Sequence, residues 1–190
     1  AANSELAMLQ ATGEADDLRV TSAMGDADGN GEYDAAYAYG ARSFTIWDQN
    51  GLVVYDSGDD FERITASVHG AQFNNGDDEN ASDSRSENKG PEPEALTLGQ
   101  VGDRTYAFIG TERMGGIFVY DVTNPYDVQF AEYVINRDLT EGLTSDDVIG
   151  DLAPESLVFV SAEDSPSGVP LLVVGNEVSG TVTVWQINQL

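Results

Sequence analysis

YAFIGTERMGGIFVYD at 106–121 and LLVVGNEVSGTVTVWQ at 171–186 are two versions of one pattern. Each is an apolar strand reaching a Gly, a short turn carrying Glu and Gly, and a second strand ending in an aromatic followed by Asp or Gln. The lead-ins repeat as well, PEAL at 93–96 against PESL at 154–157, so each unit begins with one more strand and the repeat is about 61 residues long. YAYGARSFTIWD at 37–48 is a fainter third copy. Short runs rich in Val, Ile, Tyr, Phe and Thr between Gly/Asp/Asn/Ser clusters continue along the chain. They predict strands over 18–24, 35–40, 43–48, 52–55, 95–101, 105–110, 116–122, 129–135, 157–162, 170–175 and 180–187. Only 1–10 and 138–149 offer a helical turn. The fold expected is all-β and antiparallel: a partial β-propeller of about three four-stranded blades over 18–190, preceded by a lead-in at 1–17, with a β-sandwich as the alternative. Closed propellers hold about four to eight blades. The remaining blades are therefore expected outside this chain, in a longer polypeptide or as a separate chain.

Composition narrows the class of function. The 190 residues include 34 Asp and Glu against 8 Lys and Arg, a formal charge of −26. Coating nucleic acid needs a Lys/Arg surface, which this chain lacks. No apolar run is long enough to span a bilayer. The absence of Cys excludes disulfides and Cys-ligated metal sites. Lys89 is the single lysine. An acidic, lysine-poor surface suits saline or calcium-rich water outside the cell, and equally reads as a plain solvated surface.

GDADGNGEYD at 25–34 is the strongest local motif. Asp26, Asp28, Asn30 and Asp34 stand at positions one, three, five and nine of a calcium loop, Gly31 falls at the sharp turn, and the Glu32 carbonyl supplies position seven. Tyr37 occupies position twelve, where an EF-hand has its bidentate Glu, and the flanks read as strands. The loop is similar to the hairpin calcium loops of integrin-type propellers. Without a cation its carboxylates would repel one another, and Ca²⁺ removes that cost. A structural clamp is expected, on the face of the sheets opposite the next constellation.

That second constellation spans SDSRSENKGPEPEAL at 82–96, TERMGG at 111–116, DLAPESL at 151–157 and GNEVSG at 175–180. Connections in an antiparallel meander alternate between the two ends of a sheet, so Glu94, Glu112, Glu155 and Glu177 are expected on one face, as a possible second metal site. Arg85, Lys89, Arg113 and Arg42 are expected to join them, pairing locally or presenting positive charge to a phosphate-containing ligand. The alternative is that the repeated Glu residues bond backbone N–H groups and lock one blade to the next.

Other residues carry less. His69 is the only histidine, so no His-rich transition-metal site can form. Ser82, Ser84 and Ser86 have no paired His and Asp. Trp47, Tyr120 and Trp185 end equivalent strands and read as wedges between blades. The polar stretch 74–90 reads as a mobile loop unless a ligand orders it.

Taken together, GDADGNGEYD, YGARSFTIWD, YDSGDDFE, RSENKGPEPEALTLG, RTYAFIGTERMGGIFVYDVTNP, DLAPESLVFVSAEDSPSG and LLVVGNEVSGTVTVWQI resemble the choice-of-anchor I domain family, from about Leu18 to Asn188. The resemblance implies the C-terminal part of an extracellular, calcium-associated β-propeller, secreted, on the cell surface or in the periplasm. It places bacterial members beside alkaline-phosphatase-like and phytase-like phosphoesterases. Two functions follow as expectations. One is a Ca²⁺-binding segment for surface binding, assembly or mineral and phosphate handling, with a purely structural or adhesive module as its simplest form. The other is a calcium-dependent phosphoesterase in which Glu94 and Glu155 hold the metal while Arg85, Lys89 and Arg113 stabilise charge on phosphorus.

Overall fold

The computed structural model describes residues 17–40 and 42–188. Three antiparallel sheets follow one another along the chain. The first pairs β1 (Thr45–Trp47) with β2 (Val53–Asp56). A ten-residue helix, α1 (Asp60–His69), comes next. The second sheet is a four-stranded meander of β3 (Pro93–Val101), β4 (Arg104–Thr111), β5 (Ile117–Asp121) and β6 (Gln129–Val134). The third holds β7 (Pro154–Val160), β8 (Leu171–Asn176) and β9 (Thr181–Gln186).

The repeat legible in 106–121 and 171–186 is a structural repeat. In both units the first strand enters through a bulge that leaves one Glu unpaired: Pro93 faces Thr111 and Ala95 faces Gly110 around Glu94, while Pro154 faces Asn176 and Ser156 faces Gly175 around Glu155. A bulge of this kind kinks the strand and re-aims the side chain at its apex.

Side chains alternate across each strand, so every sheet has two apolar faces to cover. Ala107, Ile109, Phe118 and Tyr120 face Phe61 and Ile64 of α1, with Phe44 packed against them. The rings of Phe44 and Tyr120 lie 4.9 Å apart, and Phe61 meets Phe118 edge-on at 4.5 Å. On its other face the second sheet sets Phe108 and Ile117 against Leu172 and Val174, flanked by Tyr106, Val119, Phe159 and Trp185. The second sheet is thus packed between the first sheet with its helix and the third sheet. The second and third sheets part to leave an open cleft of about 450 Å³ beside Tyr106, Val119, Val134, Trp185 and Ile187. Where their first strands approach most closely, Gly99 lies under the ring of Phe159, and a Cβ at Gly99 would overlap that ring.

Several expectations are corrected. Three four-stranded units do not form: among the described residues the sheets have two, four and three strands. Residues 18–24 and 35–40 meet only at the bridge Val20–Ala38, because the Gly- and Asp-rich loop between them is too rich in turn formers to extend the ladder. After β2 the chain enters a helix, where the sequence reading expected no regular element. Phe61, Ile64 and Thr65 form its buried stripe, Asp60 and Glu62 stand in its first turn, and Gly70 with φ 61° ends it. The stretch 138–149 holds no helix; it folds back on itself, Asp138 N–H donating to Ile149 O at 2.7 Å. The candidate helix at 1–10 lies outside the described residues.

Candidate functional site

The segment 74–90 is packed, not loose, because buried amides and one arginine hold it from within. Asn74, Asn75 and Asn80 are fully buried. Asn80 Nδ2 donates to the carbonyls of Asp138 at 2.7 Å and Thr140 at 2.9 Å. Arg137, only 5% exposed, donates to the carbonyls of Gly76 (2.9 Å), Arg113 (3.0 Å) and Glu79 (3.2 Å) and to Asn80 Oδ1 (3.0 Å). Burial lowers its pKa to about 10, still far above neutrality, so it remains a cation solvated by carbonyl oxygens.

This scaffold presents Arg85 and Lys89 to the entry of β3, where Pro91-Glu92-Pro93 precedes the bulge. Glu92 is 2% exposed and has φ 50°, a left-handed conformation uncommon for a residue with a side chain. Its carbonyl accepts the N–H of Glu112 at 2.8 Å. Its carboxylate accepts from Arg85 at 2.8 Å, Lys89 at 3.1 Å and Arg113 Nε at 3.2 Å. Burial by itself would push the Glu92 carboxyl up; the hydrogen bonds from Arg85 and Lys89 and the charge of Arg113 outweigh it and hold the group below the usual glutamate range. Arg113 also pairs with Asp77 and, at 3.1 Å, with Glu112.

Glu94 and Glu112 complete the group. Carboxylate oxygens of Glu92, Glu94 and Glu112 all lie within 4.8 Å of one another. Burial pushes the Glu112 carboxyl up to about 7, helped by its hydrogen bond to Glu94 and by the charges of Glu92 and Glu94 and opposed by Arg113. Near neutral pH the group therefore retains a proton that a hard cation could displace. All donors are oxygens, the set preferred by Ca²⁺, Mg²⁺ and Mn²⁺.

Of the four glutamates expected on one face, Glu94 and Glu112 come together; Glu155 and Glu177 are exposed and do not belong to this group. Glu177 keeps the backbone role of its counterpart, its N–H donating to Ala153 O at 2.8 Å. Arg42 is held by Glu62 of α1 at 2.5 Å and by the Ser86 carbonyl at 2.6 Å. Glu92, the centre of the charge network, was not singled out by the sequence, although Pro-Glu-Pro-Glu contains it. His69 packs its ring edge-on to Tyr133 at 5.7 Å, and burial lowers its pKa.

The 25–34 loop forms the tip of the hairpin closed at Val20–Ala38. Asp26 accepts the N–H groups of Gly29 (2.8 Å), Asn30 (3.1 Å) and Gly31 (2.9 Å), and Asp34 accepts that of Ala27 at 3.2 Å. Gly25, Gly29 and Gly31 all have positive φ, which is how so short a loop wraps around one carboxylate. The Gly31 N–H foremost holds the Asp26 carboxyl below its ordinary pKa. Asp28 accepts the side-chain amide of Asn30 at 3.0 Å, and Asn30 Oδ1 accepts the Glu32 N–H at 2.7 Å.

Residues 1–125 match the profile of the Choice-of-anchor I domain. The chain belongs to the choice-of-anchor I family. The resemblance drawn from its motifs is borne out. This choice-of-anchor I chain is also similar to Gigasin-3a of Magallana gigas, 30% identical over 172 residues, covering 85% of this chain and 61% of that protein. The chain thus spans about 61% of the length of this relative. No solved structure matches. No helix among the described residues of this family member is long and apolar enough to cross a membrane.

Proposed function

We propose that this chain is the calcium-binding part of an extracellular or cell-surface module, three consecutive blades of a propeller that further blades complete, working in surface binding, assembly or mineral handling. The observation that carries the calcium reading is the Glu92/Glu94/Glu112 group, three carboxylates within 4.8 Å with a glutamate whose pKa is raised to about 7. A divalent cation there would replace the Glu112 proton, offsetting first the burial that raises its pKa and then the repulsion from Glu92 and Glu94. The 25–34 loop, through Asp26, Asp28, Asn30, Asp34 and the Glu32 carbonyl, would hold a separate structural Ca²⁺. Family membership and the acidic composition support the extracellular setting.

The phosphoesterase reading receives less support. It needs Arg85, Lys89 and Arg113 free to meet a phosphate, and all three are engaged by Glu92, with Asp77 and Glu112 on Arg113 as well. Binding is therefore favoured over turnover.

Calorimetric titration with CaCl₂ tests the reading. Two classes of site are expected in the wild type; Asp26→Asn removes one and Glu112→Gln weakens the other. Proton release near pH 7 should accompany only the second. A wild type that shows neither binding heat nor a shift in Tm with Ca²⁺ sinks the calcium reading. Hydrolysis of an aryl phosphate above background, lost in Glu94→Gln, would restore the enzymatic one.

A further inference from the structure

Both carboxylate oxygens of Glu92 are engaged, Oε1 by Arg85 and Arg113 and Oε2 by Lys89. The three cations are held unequally. Arg113 also has Asp77 and Glu112. Arg85 is fixed by its backbone, its N–H donating to Asn74 O at 3.0 Å and its carbonyl accepting the N–H of Gly90 at 2.8 Å. Lys89 has Glu92 as its one ion-pair partner among the described residues, at 3.1 Å, and its side chain is 43% exposed. Beside it Arg85 Nε is buried and meets no acceptor among the described residues, although Nη2, on the same edge of the planar guanidinium, donates to Glu92. The centre therefore holds a buried donor with no oxygen to receive it, next to an ammonium with a single tie. Counted as ionised, Asp77, Glu92, Glu94 and Glu112 outweigh Arg85, Lys89 and Arg113 by one negative charge. With a divalent cation bound, the same groups carry one positive charge on a chain of net −26.

We propose that a divalent cation at Glu92, Glu94 and Glu112 displaces the Lys89 ammonium from Glu92, and that the released ammonium, the cation and Arg85 Nε together receive an oxyanion, a carboxylate or a phosphate. Lys89 is the part that moves because it is a compact charge on a flexible stem, and a cation sharing its carboxylate repels it. An oxyanion suits every member of the set: hard cations take oxygen ligands, and ammonium and guanidinium groups bind carboxylate and phosphate. An oxygen of that ligand would give Arg85 Nε the acceptor it lacks. The two ligands are then coupled, each tightening the other by the same factor. The proposal rests on the calcium reading of the three glutamates and adds to it the class of ligand and the moving residue.

Lys89 is the only lysine, so its acetylation by an N-hydroxysuccinimide ester, followed by mass spectrometry of the peptide that carries it, reports on this site alone. The labelling rate should rise with CaCl₂ in the wild type and in Asp26→Asn, and stay low in Glu94→Gln, a change at an exposed position. Sodium phosphate or sodium acetate should reverse the rise when Ca²⁺ is present and have no effect without it. Calorimetry should show the same anion tightening Ca²⁺ binding about fivefold or more, the lower end of ordinary coupling between sites. Protection by phosphate alone assigns a phosphate ligand, protection by both a carboxylate as well, and protection by neither overturns the proposal. Lys89→Gln, which removes the competitor, should bind Ca²⁺ more tightly than the wild type in the absence of either anion and lose most of the tightening when one is added. Ca²⁺ binding that leaves Lys89 labelling unchanged overturns the proposal and spares the calcium reading, whereas a wild type that binds no Ca²⁺ removes both.

Discussion

Glu92 and Ala153 occupy the same place in successive units: φ is 50° and 57°, each precedes a proline that opens a bulged strand, and each carbonyl accepts an N–H at 2.8 Å, from Glu112 and Glu177 respectively. The backbone device is common to both units, whereas the charge network belongs to one. Glu92→Ala should therefore spare the backbone and leave Arg85 and Lys89 without their carboxylate, while Arg113 keeps Asp77 and Glu112, costing about 3–5 kcal/mol, as when one partner of a buried ion pair is removed. Urea denaturation measures it, and a loss below 1 kcal/mol, the range of exposed ion pairs, would mean the network is solvated.

The pH dependence of stability should show Glu112 and Glu92 working in opposite directions. Glu112 has its folded pKa raised from 4.5 to about 7, so its contribution is whole below about 4.5 and is lost as pH rises through about 7. Glu92 is depressed below 4.5, so its contribution is present above that value and is lost as pH falls through its folded pKa. In metal-free buffer Glu112→Gln should match the wild type at pH 4.5 and exceed it at pH 8. Equal slopes of Tm against pH for the two proteins would contradict the assignment.

Arg137→Ala should loosen the whole 74–90 segment, because four carbonyl and amide oxygens lose their donor in the interior. A cost of about 3 kcal/mol or more is expected, with new proteolytic cleavage between Gly76 and Gly90. Arg137→Lys should recover little, since an ammonium cannot span acceptors placed for a planar fork. A lysine variant as resistant to protease as the wild type would show that charge alone suffices.

Gly99→Ala puts a methyl group into the ring of Phe159 and should destabilise by about 1–3 kcal/mol through overpacking. Adding Phe159→Leu should return part of that loss. Additive penalties in the double variant would place the damage elsewhere.

Much of this architecture could be read before any coordinates. The match between 106–121 and 171–186 foretold the strands, their pairing and the packing of Tyr120 and Trp185 between sheets, because apolar alternation and Gly-bearing turns are local properties, whereas Trp47, read as the same kind of wedge, is 59% exposed. Helix α1 escaped notice because its buried stripe is only Phe61, Ile64 and Thr65, while Val68 of the same helix is exposed. In Pro-Glu-Pro-Glu two carboxylates compete, and the left-handed φ at the first together with the bulge at the second decides which is buried; neither is visible in residue types. Arg137 gave no sign either, since its acceptors are carbonyls from segments remote in sequence.

The left-handed residue ahead of each bulged strand is a socket whose fittings can be exchanged. A residue held there reaches the turn between the next two strands whatever its side chain, so one unit can carry a charged centre while its sister carries a methyl group on the same backbone. The charged centre in such a chain is separable from its backbone frame: a second centre can be fitted at Ala153, with Val178 in the place of Arg113, and no strand need move.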